Sequence, residues 1–203
     1  AEVKARAAAI NAKLLHARAQ RPRPGLDDKS LTSWNALMVT GLCDVYEVFG
    51  NERHLDAAVR AMQLILDRCQ RNTGGLWHLY KDGRASINGF LEDYCFSIEA
   101  LIALYGVTFE ERWLHSARSF AEHAIRHFHD DRNGLFNFTS DLDPALVTRP
   151  IELHDNVIPA SNSSLSNGLF LLGTLFDDAR YLELSERAMR AGTGQLAIHP
   201  TAH

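Results

Sequence analysis

Residues 31–49 read LTSWNALMVTGLCDVYEVF, and this stretch decides the fold. Leu31, Trp34, Leu37, Met38, Gly41, Leu42, Val45, Tyr46 and Phe49 recur at three- and four-residue spacing, which predicts an amphipathic helix buried along that stripe. A second helix is expected from about Arg53 to Cys69, with Asn51 as its N-cap and Leu55, Val59, Met62, Leu66 and Cys69 facing inward. The two form an αα-hairpin. Beyond it, the alternation Leu76-Trp77-His78-Leu79-Tyr80 followed by Lys81-Asp82-Gly83-Arg84 predicts a β-hairpin, with Asp-Gly supplying the positive φ of a tight turn.

The same order of elements then returns. Leu91, Tyr94, Cys95, Ile98, Leu101, Ile102 and Tyr105 mark one helix, and Leu114, Ala117, Ala121, Ile125 and Phe128 mark its partner. Asn35-Ala36-Leu37, Glu99-Ala100-Leu101 and Asn167-Gly168-Leu169 follow one another at nearly equal intervals, each inside a first helix. Arg53-His54-Leu55, Arg112-Trp113-Leu114 and Arg180-Tyr181-Leu182 each open a second helix, and the turn Gly75-Leu76-Trp77 is matched further on by Gly134-Leu135-Phe136. The chain therefore reads as one all-α domain over 1–203, with hairpin units at about 2–20, 29–70, 89–129 and 161–192 joined by short β-hairpin linkers. Such units bury their apolar faces by stacking, either as an open solenoid or as a closed ring. The small residue at 36, 100 and 168 suits close helix approach, and Gly-, Pro- and aromatic-rich linkers argue against a coiled coil. Helix 2–20 is expected to be the outer half of a preceding hairpin, and Gly192 to His203 to lead towards a further helix, as in an internal piece of a longer protein.

Composition narrows the function. With 21 Lys plus Arg against 25 Asp plus Glu, a net charge of −4 gives no electrostatic support for nucleic acid or acidic membrane partners. No apolar run approaches the roughly 18 residues of a membrane span. Cys43, Cys69 and Cys95 are widely spaced in apolar helical stretches, which predicts reduced core thiols and a cytoplasmic location. Without a phosphate loop, a dinucleotide fingerprint, G-x-S-x-G or CxxC, no cofactor is expected.

The polar segments leading into each first helix carry the candidate chemistry. Asp28 and Glu92 are separated by the same interval as Asn35 and Glu99, and Asp93 and Ser161 by the same interval as Glu99 and Asn167. Carboxylates facing across a cleft can serve as general acid and base, or acid and nucleophile, on a glycosidic bond. The competing reading is helix capping, which the same residue types favour. Trp34, Trp77 and Tyr94 are either flat faces for a sugar ring or core aromatics. His123 and His127 are four apart with His129 beyond. Counting 100° per residue from Leu114 places His123 opposite the apolar stripe, and no HExxH pattern accompanies it, so a solvated outer face is expected and no metal.

The segments RPRPGLDDKSLTSWN (21–35), GFLEDY (89–94) and DNVIPASNS (155–163) resemble the signature segments of the spermatogenesis-associated protein 20 family, in order and across nearly the whole chain. The resemblance implies a thioredoxin-like domain, absent here, followed by an α/α toroid similar to six-hairpin glycosidases and N-acylglucosamine 2-epimerases. This chain would form part of that toroid, with the thioredoxin-like domain of the full-length protein as its partner. On matching positions it implies a pocket rim, with no acid or nucleophile assigned; the register and pairing of the carboxylates make Asp28, Glu92 and Asp93 the catalytic candidates on it. Asp27, Trp34, Asn35, Tyr94, Asp155, Asn156, Asn162 and Ser163 would bind substrate. Ala36 stands for a common Gly, and Pro159-Ala160-Ser161-Asn162-Ser163 for Pro-Ser-Gly-Asn-Ser. The histidines of the sugar epimerases find no counterpart by sequence. The function expected is binding or processing of a carbohydrate-like small molecule, by glycoside hydrolysis or sugar isomerisation. The alternative is a non-catalytic interaction scaffold working with the thioredoxin-like domain.

Overall fold

Two-residue turns of one design join the helices of each pair. Gly50, Phe109 and Asp177 close the first helices in the left-handed conformation, and Asn51, Glu110 and Asp178 stand immediately before the second. Asn51 Oδ1 and Asp178 Oδ1 each accept from the backbone N–H two residues on, at 3.1 Å, satisfying a donor that the first helical turn leaves unpaired. The computed structural model describes residues 2–144 and 147–196, with side chains described as far as 192. The tail expected to lead onward thus lies largely outside the described residues.

The elements are α1 (Glu2–Ala19), β1 (Ser30–Leu31), α2 (Thr32–Phe49), α3 (Glu52–Leu64), which runs into a π-helical turn (Ile65–Cys69), β2 (Trp77–Lys81), β3 (Arg84–Asn88), α4 (Leu91–Thr108), α5 (Glu111–Phe128), β4 (His129–Asp130), β5 (Leu135–Phe136), α6 (Ser161–Phe176) and α7 (Ala179–Leu196). Arg53, Arg112 and Arg180 are each the second residue of an outer helix, as their spacing predicts. The first helices follow the same period: Thr32, which starts α2, and Leu91, which starts α4, are as far apart as Arg53 and Arg112. This corrects the longer register that pairs Asn35 with Glu99. Glu92 corresponds to Ser33, and Asp28 to Ile87 on β3.

Helix α4 packs against both α2 and α6, while α3, α5 and α7 pack on their own partners, and α3 and α5 only graze the next pair. An inner row closer than its outer row is what a curving stack of hairpins requires. Apart from Glu92, every residue from Leu91 to Ile98 is buried. Ala36, Ala100 and Gly168 lie in the close contacts, and a Cβ on Gly168 would come within 2.9 Å of Ile98 Cγ2. Tyr94, Trp113, Phe120, Phe128 and Tyr181 fill the space between the rows.

The expected stripe on α2 is partly inverted. Ala36, Val39 and Cys43 are buried, whereas Trp34 is 63% and Met38 62% exposed. An inner helix is apolar around much of its circumference, so periodicity alone does not choose which side meets α4. Helix α1 carries no buried residue and forms no packed half of a hairpin among the described residues. Three antiparallel strands in the order β1-β2-β3 cover the start of α4, with Asp82 (φ 50°) and Gly83 (φ 75°) making the β2–β3 turn. The β4–β5 hairpin repeats the Gln70–Leu76 bridge that stands just before β2.

Candidate active site at the leading ends of the inner helices

Asp93, in the first turn of α4, is completely buried. Its Oδ2 accepts from Phe90 N–H at 2.9 Å, the reach-back of a third-position acid onto its own helix start. Its Oδ1 accepts from Ser33 N–H on α2 at 2.9 Å. Capping is therefore one of its roles. The other is His78: Nδ1 lies 2.9 Å from Asp93 Oδ2, and the imidazole keeps 14% of its side-chain surface exposed. Strand alternation turns His78 towards α4, where its ring edges onto Phe90. The hydrogen bond to Asp93 raises the His78 pKa above its ordinary value, against the effect of burial.

Glu92 is the half-buried neighbour. Its Oε1 accepts from Ser33 Oγ at 3.1 Å. Burial and the adjacent Asp93 push its carboxyl above the usual glutamate range, Glu152 adds to the rise, and Ser33 and His78 oppose it. Glu152, on the segment before α6, accepts a short hydrogen bond from Ser161 Oγ. A buried carboxylate, an imidazole held at Nδ1 and a carboxylic acid with a raised pKa thus share one rim, an arrangement suited to proton transfer.

The other sequence candidates are distributed differently. Asp28 is paired with Lys81 at 2.6 Å and Asp27 with Lys29 at 3.2 Å, both acids well exposed near the tip of the β2–β3 hairpin. Asp28 therefore does not face Asp93 as a catalytic partner; the register that joined it to Glu92 was the wrong one. Asp27, Trp34 and Asn35 line a shallow pocket of about 500 Å3 with Leu31 and Met38. Tyr94 is fully buried, its hydroxyl accepting from Leu76 N–H at 2.8 Å, which makes it a core residue and not a substrate contact. Asn162 is likewise structural: Oδ1 accepts from Phe136 N–H at 2.8 Å and Nδ2 donates to Phe136 O at 2.9 Å. Asp155 caps Ala160 N–H at 2.7 Å and, with Ser163, lines a groove between α6 and α7. Asn156 is exposed. Asp93 belongs to the site but, without exposed surface, positions His78 rather than touching a ligand. His78, Ser33 and Glu152 escaped the sequence reading. Only Ser33 had a signal there, standing as far before Glu92 as Arg53 stands before Arg112.

His123 also departs from expectation. It is half-buried, stacked on Tyr94 with ring centres 5.0 Å apart, because the outer helix α5 turns this side towards the linker at Gly75. His78, Glu92 and Asp93 each offer a ligand atom within 4.8 Å of the others, so a cation could be held there. It would compete with the hydrogen bonds that already occupy both Asp93 oxygens. The three cysteines are buried free thiols, and no helix among the described residues is long and apolar enough to cross a membrane.

No family model matches the chain. It is 30% identical over 196 residues to an uncharacterised protein of Caenorhabditis elegans, covering 93% of this chain and 27% of that protein. It is 30% identical over 173 residues to human spermatogenesis-associated protein 20 (79% and 22% covered), and 31% identical over 187 residues to the mouse protein (84% and 23%). The chain thus spans about a quarter of the length of the curated relatives it matches. Among solved structures it is similar to a D-mannose isomerase (TM-score 0.67, 16% identity, 80% of this chain and 40% of that one). It is also similar to an α-mannanase of glycoside hydrolase family 76 from Bacteroides thetaiotaomicron (0.68, 15%, 85% and 45%). A cellobiose 2-epimerase from Bacillus thermoamylovorans gives 0.65 at 14% identity, with 82% and 45% covered. These likenesses establish the fold as part of an α/α toroid of the six-hairpin glycosidase-like kind.

Proposed function

From a chain that is a homologue of one stretch of the spermatogenesis-associated protein 20 proteins and folds as part of an α/α toroid, we propose a carbohydrate-processing site centred on His78 and Glu92. The observation that carries this reading is the contact of Asp93 with His78 beside Glu92. Asp93 keeps the imidazole proton on Nδ1, which leaves Nε2 as a base. Glu92, its carboxyl pushed upward, is the acid. With an open-chain sugar, Nε2 takes the proton from the carbon beside the carbonyl while Glu92 protonates the carbonyl oxygen. Returning the proton from Nε2 to the neighbouring carbon, while the Glu92 carboxylate takes one from the hydroxyl on the carbon that lost it, isomerises the sugar; returning it to the opposite face of that same carbon after the enediol turns over, while Glu92 takes its proton back from the former carbonyl oxygen, epimerises it. Fold neighbours that include a D-mannose isomerase and a cellobiose 2-epimerase support this choice by analogy of scaffold.

A second reading, glycoside hydrolysis, draws on Glu152. Its charge acts on Glu92, so the two could divide the roles of acid and of base or nucleophile. Proton exchange separates the readings. The protein incubated with D-mannose in D2O should wash out the C2 proton, and His78→Gln and Glu92→Gln should each abolish the exchange. Hydrolysis of an aryl mannoside without exchange supports the second reading. A folded protein that does neither supports the non-catalytic scaffold.

A further inference from the structure

Over its first turns helix α4 reaches the concave side of the stack at two places. From Leu91 to Leu101 every residue is completely buried except Glu92 and Glu99, which keep part of their surface exposed. Tyr94 marks the opposite side of the helix, where its ring meets His123, Phe120 and Phe128 of the outer helix α5. At about 100° per residue, Glu92 and Glu99 stand roughly 140–160° around from Tyr94, turned away from α5. The two acids are held alike by opposite neighbours. Ser33 of α2 donates to Glu92 at 3.1 Å, and Ser164 of α6 donates to Glu99 Oε2 at 2.6 Å. Asn167, a turn further along α6, donates through Nδ2 to Glu99 Oε1 at 3.1 Å.

Ser164 is buried, and its bond ties α4 to α6. Asn167 is exposed, so its bond has a second use. The Glu99 carboxylate fixes which way the amide faces, and Asn167 Oδ1 meets no donor among the described residues. Each Glu99 oxygen also keeps room for a further hydrogen bond. These atoms accept hydrogen bonds and, with a carboxylate among them, repel anions, which suits the hydroxyl groups of an uncharged sugar ring. Glu92 and Glu99 lie about 10 Å apart along the helix, further than one hexose ring spans. We propose that Glu99 and Asn167 form a subsite for the second ring of a disaccharide or longer saccharide whose reacting end lies at Glu92, so that the protein selects its ligand by chain length. This rests on the carbohydrate reading of the Glu92 site and adds to it the size of the substrate.

Titration calorimetry of the whole protein with D-mannose and with mannobiose, a disaccharide of the same hexose, tests this. Mannobiose should bind about tenfold more tightly, the scale of a hydrogen bond to a charged group. The carbon-13 resonance of the Glu99 carboxyl should move with mannobiose and stay in place with D-mannose. Asn167→Ala leaves the Ser164 bond to Glu99 intact and should bring the ratio of the two affinities close to one. Looser packing of α6 on α4 would instead weaken both sugars and leave their ratio as it was. Equal affinities in the wild type, a Glu99 resonance that ignores mannobiose, or a preference that survives both Asn167→Ala and Glu99→Gln overturns the proposal. Proton exchange at D-mannose C2 without any preference for mannobiose removes the subsite and leaves the isomerase reading standing. A preference lost in Asn167→Ala, with no exchange, keeps the subsite and removes isomerisation alone. Binding of neither sugar removes both.

Discussion

Asp93 and His78 meet at 2.9 Å where α4 begins beneath β2, and the carboxylate that orients the imidazole is the one that ties α4 to α2 through Ser33. Fold and site therefore share one buried acid. Asp93→Asn replaces an acceptor with an amide donor facing the N–H of Phe90 or Ser33. Breaking such a buried charged pair costs about 3 kcal/mol, which urea unfolding would read as a lower midpoint. Proton exchange should fall with it, whereas His78→Gln should lose exchange at a smaller cost in stability.

The same contact makes a pH prediction. The His78 pKa is raised from 6.5 by Asp93, so the contact contributes stability fully at pH below 6.5 and loses it as pH rises through the folded value. A stability profile between pH 6 and 9 should fall for the wild type through this contact, and His78→Gln should flatten it. A profile unchanged by the substitution would mean that the pair carries no proton-linked energy.

Glu92 offers an independent check on the rim. Burial, Asp93 and Glu152 all lift its pKa. A carbon-13 titration of its carboxyl should give a value above the ordinary 4.5, and Glu152→Gln should bring it down. If the value does not move in Glu152→Gln, the second acid is too remote for the hydrolytic reading.

Local signals carried much of the architecture into the sequence. The N-cap at Asn51, the Asp82-Gly83 turn and the Arg at the second position of each outer helix depend on residues a few places apart. The site depends on contacts between elements. His78 and Asp93 are 15 residues apart on a strand and a helix, and nothing in the spacing of either points to the other. The register pairing Asn35 with Glu99 erred because it matched three-letter segments inside helices. The turns that define the repeat, Gly50-Asn51 and Phe109-Glu110, share conformation but no residue type.

Gly168 is a test of the stack. An added Cβ would sit 2.9 Å from Ile98 Cγ2, and a β-branched side chain inside a helix has little room to turn away. Gly168→Ala should therefore destabilise by about 1–2 kcal/mol, overpacking outweighing the gain in helix propensity. Adding Ile98→Ala should recover part of the loss relative to Ile98→Ala alone, a coupling that a double-mutant cycle measures.

His123 makes the opposite pH prediction to His78, in a separate window. Burial lowers its pKa from 6.5 to about 4, and the positive charges of His127, Arg126 and Arg71 act in the same direction, with Asp141 opposing. Its neutral form is the one that stacks on Tyr94 beside Gly75. The unfolded chain takes up the proton first, so stability present above pH 6.5 is lost as pH falls towards 4. Solvent reaches part of the ring, which discounts the loss to about 1–2 kcal/mol. His123→Phe keeps an aromatic face on Tyr94 and removes the proton. It should make unfolding nearly independent of this group between pH 6.5 and 4, whereas an equally steep acid profile in His123→Phe would assign the loss to other groups.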